Sequence, residues 1–371
     1  MKPRDGLPRI GIFSKQLDNW TSGSGHHLNE ILTTALDLNN GRFEFTFIHY
    51  RPNDNQIYKR VRELIVPRNP LRAGLALRRE KFDVVHYTPL TIYAPIWGNS
   101  SRKVATIHGA EQFHIPQFYG KVELAHEWLI GPWYARRMDR IITVSETTAD
   151  FLVKRFRVAR RNIAVCYNGL SPFYRTLPRE DVTAPARYGV SQPYIFHVSR
   201  FSERKNPWTL LEAFARFVHE HGTAHSLVCA GGGWGNKAVM DRVKALGISG
   251  RITMPGFLPE GDVAELMNAA DAFVFPSFAE GFGMPNVEAM ACGCPVITTP
   301  GFAIREIVGD AAIIVEDPYD AAGLSAAMHR VTSDGHLRAR LIERGAARIP
   351  IFSWTKSAER LLSVYEELSR L

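Results

Sequence analysis

Cysteine is scarce in this chain, with four in 371 residues, and each of Cys166, Cys229, Cys292 and Cys294 lies in an apolar or tight segment. A small buried hydrophobe is the expected role of all four. Cys292-Gly-Cys294 has no second pair to complete a zinc site, and His108 and His114 have no third ligand at metal spacing, so neither disulfides nor a structural metal is expected. Long apolar runs are missing too. No stretch is long enough to cross a bilayer, and the start Met1-Lys-Pro-Arg-Asp-Gly6 lacks the apolar core of a signal peptide. A cytoplasmic protein is therefore expected, in which the sequons at Asn19 and Asn99 carry no weight. No Gly-x-Gly-x-x-Gly falls in a compact βαβ unit followed by an acid, which argues against a dinucleotide dehydrogenase.

Acidic residues are in deficit in the front half only. Residues 1–180 hold 27 Lys and Arg against 16 Asp and Glu (+11), and the remainder 18 against 21 (−3), which together give the net +8. The positive charge gathers over 68–81, at Arg136-Arg137-Met-Asp-Arg140 and over 154–161. Such segments suit anionic lipid headgroups, an acidic acceptor, or plain solvation. The third mixes aromatics with base around Phe151 and Phe156, which adds to the case for a peripheral membrane contact. No helix-turn-helix, RNP-like or zinc pattern is present to position a base-reading element, so nucleic acid is not an expected partner.

Strand and helix patterns alternate throughout, the signature of parallel sheets covered by helices on both faces. Apolar runs mark strands over 9–14, 43–50, 84–88, 103–108, 140–145 and 163–167, with helices over 26–38, 123–138 and 146–156. The proline-rich stretch 168–193 reads as a linker. A second series of strands follows at 194–199, 226–230, 252–254, 272–275, 295–298 and 311–315. Two Rossmann-like domains are expected, 1–170 and 171–356, the latter including the linker 171–193.

The most informative stretch is Glu280-Gly-Phe-Gly-Met-Pro-Asn-Val-Glu288, set between an apolar strand at 272–276 and another at 295–299. Gly281 and Gly283 allow close backbone approach to a ligand, Pro285 suits a first helical turn, and a helix N-terminus attracts negative charge. On one continuous helix two residues eight apart would be separated by roughly 12 Å along the axis, but the turn folds Glu280 back toward the helix start. Both carboxylates can then meet one extended ligand. Just after the strand 194–199 comes Arg200-Phe-Ser-Glu-Arg204-Lys205, cations at a strand end where a diphosphate would gain charge on leaving.

These motifs resemble the retaining glycosyltransferases of family 4 (group 1), whose GT-B architecture has two Rossmann-like domains facing across a cleft. The resemblance implies that Glu280 sits by the transferred sugar, that Glu288 binds the ribose, and that the backbone of Gly281, Phe282, Gly283, Met284 and Pro285 lines the donor. It implies that Arg200 and Lys205 hold the diphosphate, with Arg204 outside the site. It further points to Gly25 of the loop Thr21-Ser-Gly23-Ser-Gly25-His26-His27 near the donor phosphate, to His108 on the sugar, and to Gly256 and Leu258 beside the base. His26 and His27 fit a place near the acceptor or an ordinary helix start. The last helix, 357–371, is expected to pack back on the first, acceptor-side domain.

The chain has no Asp-x-Asp pair of the kind that holds a divalent ion on the diphosphate, so no metal or other cofactor is expected. Two carboxylates placed on sugar and ribose do not form the pair about 5 Å apart that a retaining hydrolase needs. The expected activity is hexose transfer from a GDP-mannose-type or UDP-glucose-type donor to a glycan or lipid-linked acceptor. A nucleotide-sugar 2-epimerase and a noncatalytic nucleotide-sugar-binding subunit are the alternatives.

Overall fold

A computed structural model describes residues 6–19, 23–88, 95–97 and 101–370. Thr21 and Ser22 of the first glycine loop, and part of both sequons, lie outside the described residues. The chain forms two compact units. Unit 1 comprises Met1–Ala110, Tyr119–Gly169 and Ser353–Leu371, and unit 2 comprises Glu111–Phe118 and Leu170–Phe352. Residues Glu111–Phe118, read from sequence as part of the first domain, thus cluster with the second unit.

Unit 1 is built on a seven-stranded parallel sheet ordered β3-β2-β1-β4-β5-β6-β7. The strands are β1 (Arg9–Phe13), β2 (Glu44–His49), β3 (Arg62–Ile65), β4 (Val84–Tyr87), β5 (Arg102–Ile107), β6 (Arg140–Thr143) and β7 (Ile163–Val165). Ile10 of β1 lies between Phe45 of β2 and Val84 of β4, and all three are buried. A strand covered on both faces reads as a continuous apolar run, which is why most of these are visible in sequence. Edge strand β3 is not, because its sequence Arg-Glu-Leu-Ile is largely exposed and carries charge. The single helix expected over 123–138 is two, Lys121–Leu129 and Gly131–Ala135. Pro132 sits in the first turn of the second, where a missing N–H costs nothing, and cannot continue the first.

The helix Trp354–Ser369 completes this core. Its N-cap Ser353 accepts from the Lys356 amide, and Ala358, Leu361, Leu362, Tyr365 and Leu368 form a buried stripe at helical spacing. Tyr365 reaches the sheet, its hydroxyl 2.7 Å from His86 Nδ1, while the other His86 nitrogen meets Thr106 Oγ1 at 2.8 Å. The chain enters the helix past Gly169, where a Cβ would fall 2.3 Å from the Trp354 amide nitrogen.

Unit 2 repeats the plan with a six-stranded parallel sheet ordered β10-β9-β8-β11-β12-β13. These strands are β8 (Tyr194–Val198), β9 (Ser226–Ala230), β10 (Ile252–Gly256), β11 (Ala272–Phe275), β12 (Val296–Thr298) and β13 (Ala312–Ile314). All four cysteines are free and buried. The stretch expected as a linker is instead fastened to unit 2. Glu265 accepts from the Thr183 and Ala184 amides at 2.6 Å each, and Asn268 Oδ1 from the Leu177 amide at 2.8 Å. In each sheet the order reverses beside the first strand of its unit, at β1/β4 and at β8/β11. At such a reversal the loops leaving the carboxyl ends of two neighbouring strands diverge and leave a crevice for a ligand.

Gly169→Ala is expected to destabilise the protein by about 3 kcal/mol, because the contact is with backbone and the rigid Trp354 ring. Urea denaturation checks this; an unchanged midpoint would contradict the close approach.

Candidate active site

The loop leaving β8 is held from behind. Gly231 adopts φ +112°, and a Cβ there would lie 2.1 Å from the Ser199 carbonyl oxygen. That oxygen accepts from Trp234 Nε1 at 2.9 Å, and the Phe201 amide donates to the Gly232 carbonyl at 2.8 Å. The loop then closes in the 3-10 turn Glu203–Lys205, and Asn206 in the left-handed region starts the helix Pro207–His221. Arg200, at the mouth of this loop, is exposed.

The loop leaving β11 is fixed just as firmly. Ser277 accepts from Thr299 Oγ1 through its carbonyl at 2.6 Å, and Glu280 forms a parallel bridge with Phe302. The close approach of Gly301 to the Phe278 carbonyl, 2.4 Å from a notional Cβ, leaves no room for a larger residue. The two loops meet at the Glu280 carboxylate. Its Oε1 accepts from Lys205 Nζ and from Ser277 Oγ, each at 2.5 Å, and its Oε2 lies 3.4 Å from Arg204 Nη1. Arg204 also donates to the Ala279 carbonyl at 3.2 Å and lies 3.7 Å from Glu111. Arg204, read from sequence as outside the site, is therefore part of it, and Glu111 joins it from a distant stretch of chain.

Two carboxylates and two cations share this place, Glu280 buried and the other three half-buried. Burial works to raise Glu280, but the adjacent Lys205 and Arg204 outweigh it and hold the carboxyl below its ordinary range. Burial lowers Lys205, with Glu280 opposing, and burial raises Glu111. The cluster is neutral as a whole. A pair at this depth is held together by its mutual attraction against a large desolvation cost, so removing one partner leaves the other stranded.

Gly283, at φ +90°, turns the chain into the helix Met284–Ala291. Phe282 is buried and packs edge-on against Phe352 of the same unit, with ring centroids 5.7 Å apart. Met284 and Pro285 are half-buried in the first turn. Asn286 is 0% exposed, and neither its Oδ1 nor its Nδ2 has a hydrogen-bond partner. No local sequence pattern marks this. Glu288, two residues further on, is pushed up to about 8 by burial and by the charge of Glu260. Gly256 lies at φ +79°, its carbonyl accepting from the Gly231 amide at 2.7 Å, and Leu258 is buried beside it in sequence.

In unit 1, Gly25 is buried in the first turn of the helix Gly23–Asp37, which begins three residues ahead of the start expected at His26. His108 follows β5 directly. Its Nε2 is buried without a partner, and burial, then the neighbouring His27 and His86, holds the imidazole well below its usual range. His27 packs edge-on against His108 at 4.7 Å and against Trp354 at 5.6 Å, with Nδ1 2.6 Å from Asn168 Oδ1. His27 thus supports His108, a role its place in a glycine loop did not reveal. Among the described residues no group of three or more His, Cys, Asp or Glu is arranged to hold a metal ion.

The family description "Glycosyl transferases group 1" matches residues 183–348, and "Glycosyltransferase Family 4" matches residues 32–172. The chain is 29% identical over 305 residues to O-antigen chain mannosyltransferase B of Escherichia coli, covering 81% of this chain and 78% of that one. It is 28% identical over 320 residues to MMP alpha-(1->4)-mannosyltransferase of Mycolicibacterium hassiacum, covering 80% and 74%. Its fold resembles Anabaena HepE, solved in complex with UDP-glucose, with TM-score 0.75 and 18% identity over 96% of this chain and 99% of that one.

Replacing Lys205 by Met leaves Glu280 with Arg204 as its one cation and is expected to cost on the order of 3 kcal/mol, read by denaturant unfolding. A second expectation concerns pH. The folded-state value of Glu288 is raised, so its contribution to stability is full below the ordinary carboxylate range and is lost as pH climbs through about 8. Stability of the ligand-free protein should therefore decline from about pH 5 to 8 in a way that Glu288→Gln flattens. Parallel pH profiles for wild type and variant would contradict this.

Proposed function

Because the chain belongs to the group 1, family 4 glycosyltransferases and is a hexosyltransferase, we propose that it moves a hexose, with retention, from a nucleoside-diphosphate sugar to a glycan or lipid-linked acceptor. The observation that carries this reading is the Glu280 carboxylate gripped by Lys205 and Arg204 at the β8/β11 reversal, eight residues ahead of the half-buried Glu288. Relatives named as mannosyltransferases and a fold neighbour solved with UDP-glucose support a donor of the GDP-mannose or UDP-glucose type.

In this reading the diphosphate lies against Arg200, Lys205 and the N-terminus of the helix Met284–Ala291. Fixed cations and backbone N–H groups take up the charge that develops as the glycosidic bond breaks, the work a metal ion would otherwise do. Lys205 then exchanges part of its pairing with Glu280 for the phosphate. Glu280 orients the hexose. Glu288, protonated near neutral pH, both donates to and accepts from the ribose hydroxyls. The anomeric carbon passes through an oxocarbenium-like state. The acceptor hydroxyl attacks on the face the phosphate leaves, its proton passes to the departing phosphate oxygen, and the nucleoside diphosphate is released.

Glu280→Gln is expected to remove most turnover with donor binding largely kept, whereas Glu288→Gln raises the donor KM with a smaller effect on kcat. Thermal shifts with UDP, GDP, ADP and their sugars, with and without EDTA, identify the base. The expected result is a selective, EDTA-insensitive rise in Tm. No shift with any nucleotide, or equal and small effects of both substitutions, would overturn the assignment.

A further inference from the structure

Exposed apolar side chains are not scattered over this protein. Among the described residues fourteen large ones stand exposed, and seven lie on three neighbouring stretches of unit 1: Leu71 and Leu75, Trp97, and four within 122–130. The last four are the most prominent. Val122 is 85% exposed and Leu129 77%, with Trp128 and Ile130 beside them. The helix Pro70–Glu80 backs onto Trp97 through Gly74, where a Cβ would lie 2.8 Å from the Trp97 carbonyl oxygen. Trp97 meets Trp133 with ring centroids 5.0 Å apart, just beyond the helix Lys121–Leu129. The stretches therefore make one surface, and a cluster of this kind marks an interaction site.

The same surface is basic. Arg137 lies over the Trp133 ring at 3.7 Å and Arg155 over Trp128 at 5.0 Å, so each tryptophan carries a guanidinium. Residues 68–81 hold five Lys and Arg against one acid, and 154–161 hold five against none. That one acid, Glu80, is committed to Arg62 and Arg9, and Asp150 and Glu127 lie beside Lys154 and His126. Exposed tryptophan and leucine interleaved with arginine suit the boundary between lipid headgroups and acyl chains, where the rings sit at headgroup level and the cations meet phosphate. A second copy of the chain would bring the same positive charge against itself, which disfavours self-association here.

We propose that this face of unit 1 docks the protein on an anionic lipid bilayer, with Val122, Trp128 and Leu129 entering the headgroup region and Arg137 and Arg155 on lipid phosphate. No helix among the described residues is long and apolar enough to cross a membrane, so the contact is peripheral. Docking extends the transferase reading on its acceptor side but needs no turnover, so the two stand or fall separately.

The test is co-sedimentation of the full chain with vesicles of phosphatidylcholine alone and of phosphatidylcholine mixed with phosphatidylglycerol. Binding is expected to the mixed vesicles only and to weaken with added salt. The pair Trp128→Ala/Leu129→Ser and, separately, the pair Arg137→Glu/Arg155→Glu should each reduce partitioning by at least about tenfold. Both should keep the wild-type Tm and the wild-type thermal response to nucleotide, which shows that folding and donor binding are intact. Absence of binding to anionic vesicles, or variants that bind as wild type does, would overturn the proposal. A wild-type dimer in analytical ultracentrifugation that either pair dissociates would overturn it in favour of a protein interface.

Discussion

Glu280 sits where two independent loops of unit 2 meet, and most of what positions them can be traced to that carboxylate. The loop after β8 brings Lys205 and Arg204, the loop after β11 brings Ser277 and Glu280 itself, and the excursion Glu111–Phe118 adds Glu111. Glu280 and Lys205 are costly to bury alone, while Arg204 and Glu111 remain partly exposed. Together they cancel, and each fixes the direction of the next. The glycines behind the loops serve the same end. Gly231 and Gly301 allow backbone to touch backbone where a side chain would force the loops apart, so the carboxylate and its cations are placed by covalent geometry before any ligand arrives.

A site built this way is poised for exchange. On the proposed function, a diphosphate would offer Lys205 and Arg204 an alternative anion and free Glu280 toward a neutral hydroxyl-bearing group. Glu288 differs in kind, because burial and the charge of Glu260 raise its carboxyl and leave it protonated near neutral pH. The two glutamates of one motif therefore have opposite electrostatic settings. That contrast suits one for work beside a developing charge and the other for holding hydroxyls.

Much of this was legible in sequence, for identifiable reasons. Twelve of the thirteen strands were visible because a parallel strand covered on both faces must be apolar, and β3 was hidden because an exposed edge is free to be charged. The break between the helices Lys121–Leu129 and Gly131–Ala135 was written in Gly131-Pro132 but masked by the apolar periodicity on either side. Glu280, Glu288 and Lys205 stood out because residue type, glycine spacing and strand order coincided. Arg204 did not, because adjacent cations in a loop differ only in which way the 3-10 turn points them. Glu111, Asn286 and His27 owe their places to contacts across the fold, and no local pattern encodes those. The exposed tryptophans of unit 1 were equally silent, since an aromatic in sequence reads as core until its exposure is seen.

The central claim is that the Glu280 cluster receives a nucleoside-diphosphate sugar, and a crystal structure of the chain with a nonhydrolysable donor analogue tests it most directly. The account predicts the diphosphate against Arg200 and Lys205, the hexose beside Glu280 and the ribose on Glu288, with no metal ion between phosphate and protein. A donor bound elsewhere, or one whose diphosphate reaches the protein through a divalent cation while the Lys205–Glu280 pair remains closed, would contradict it.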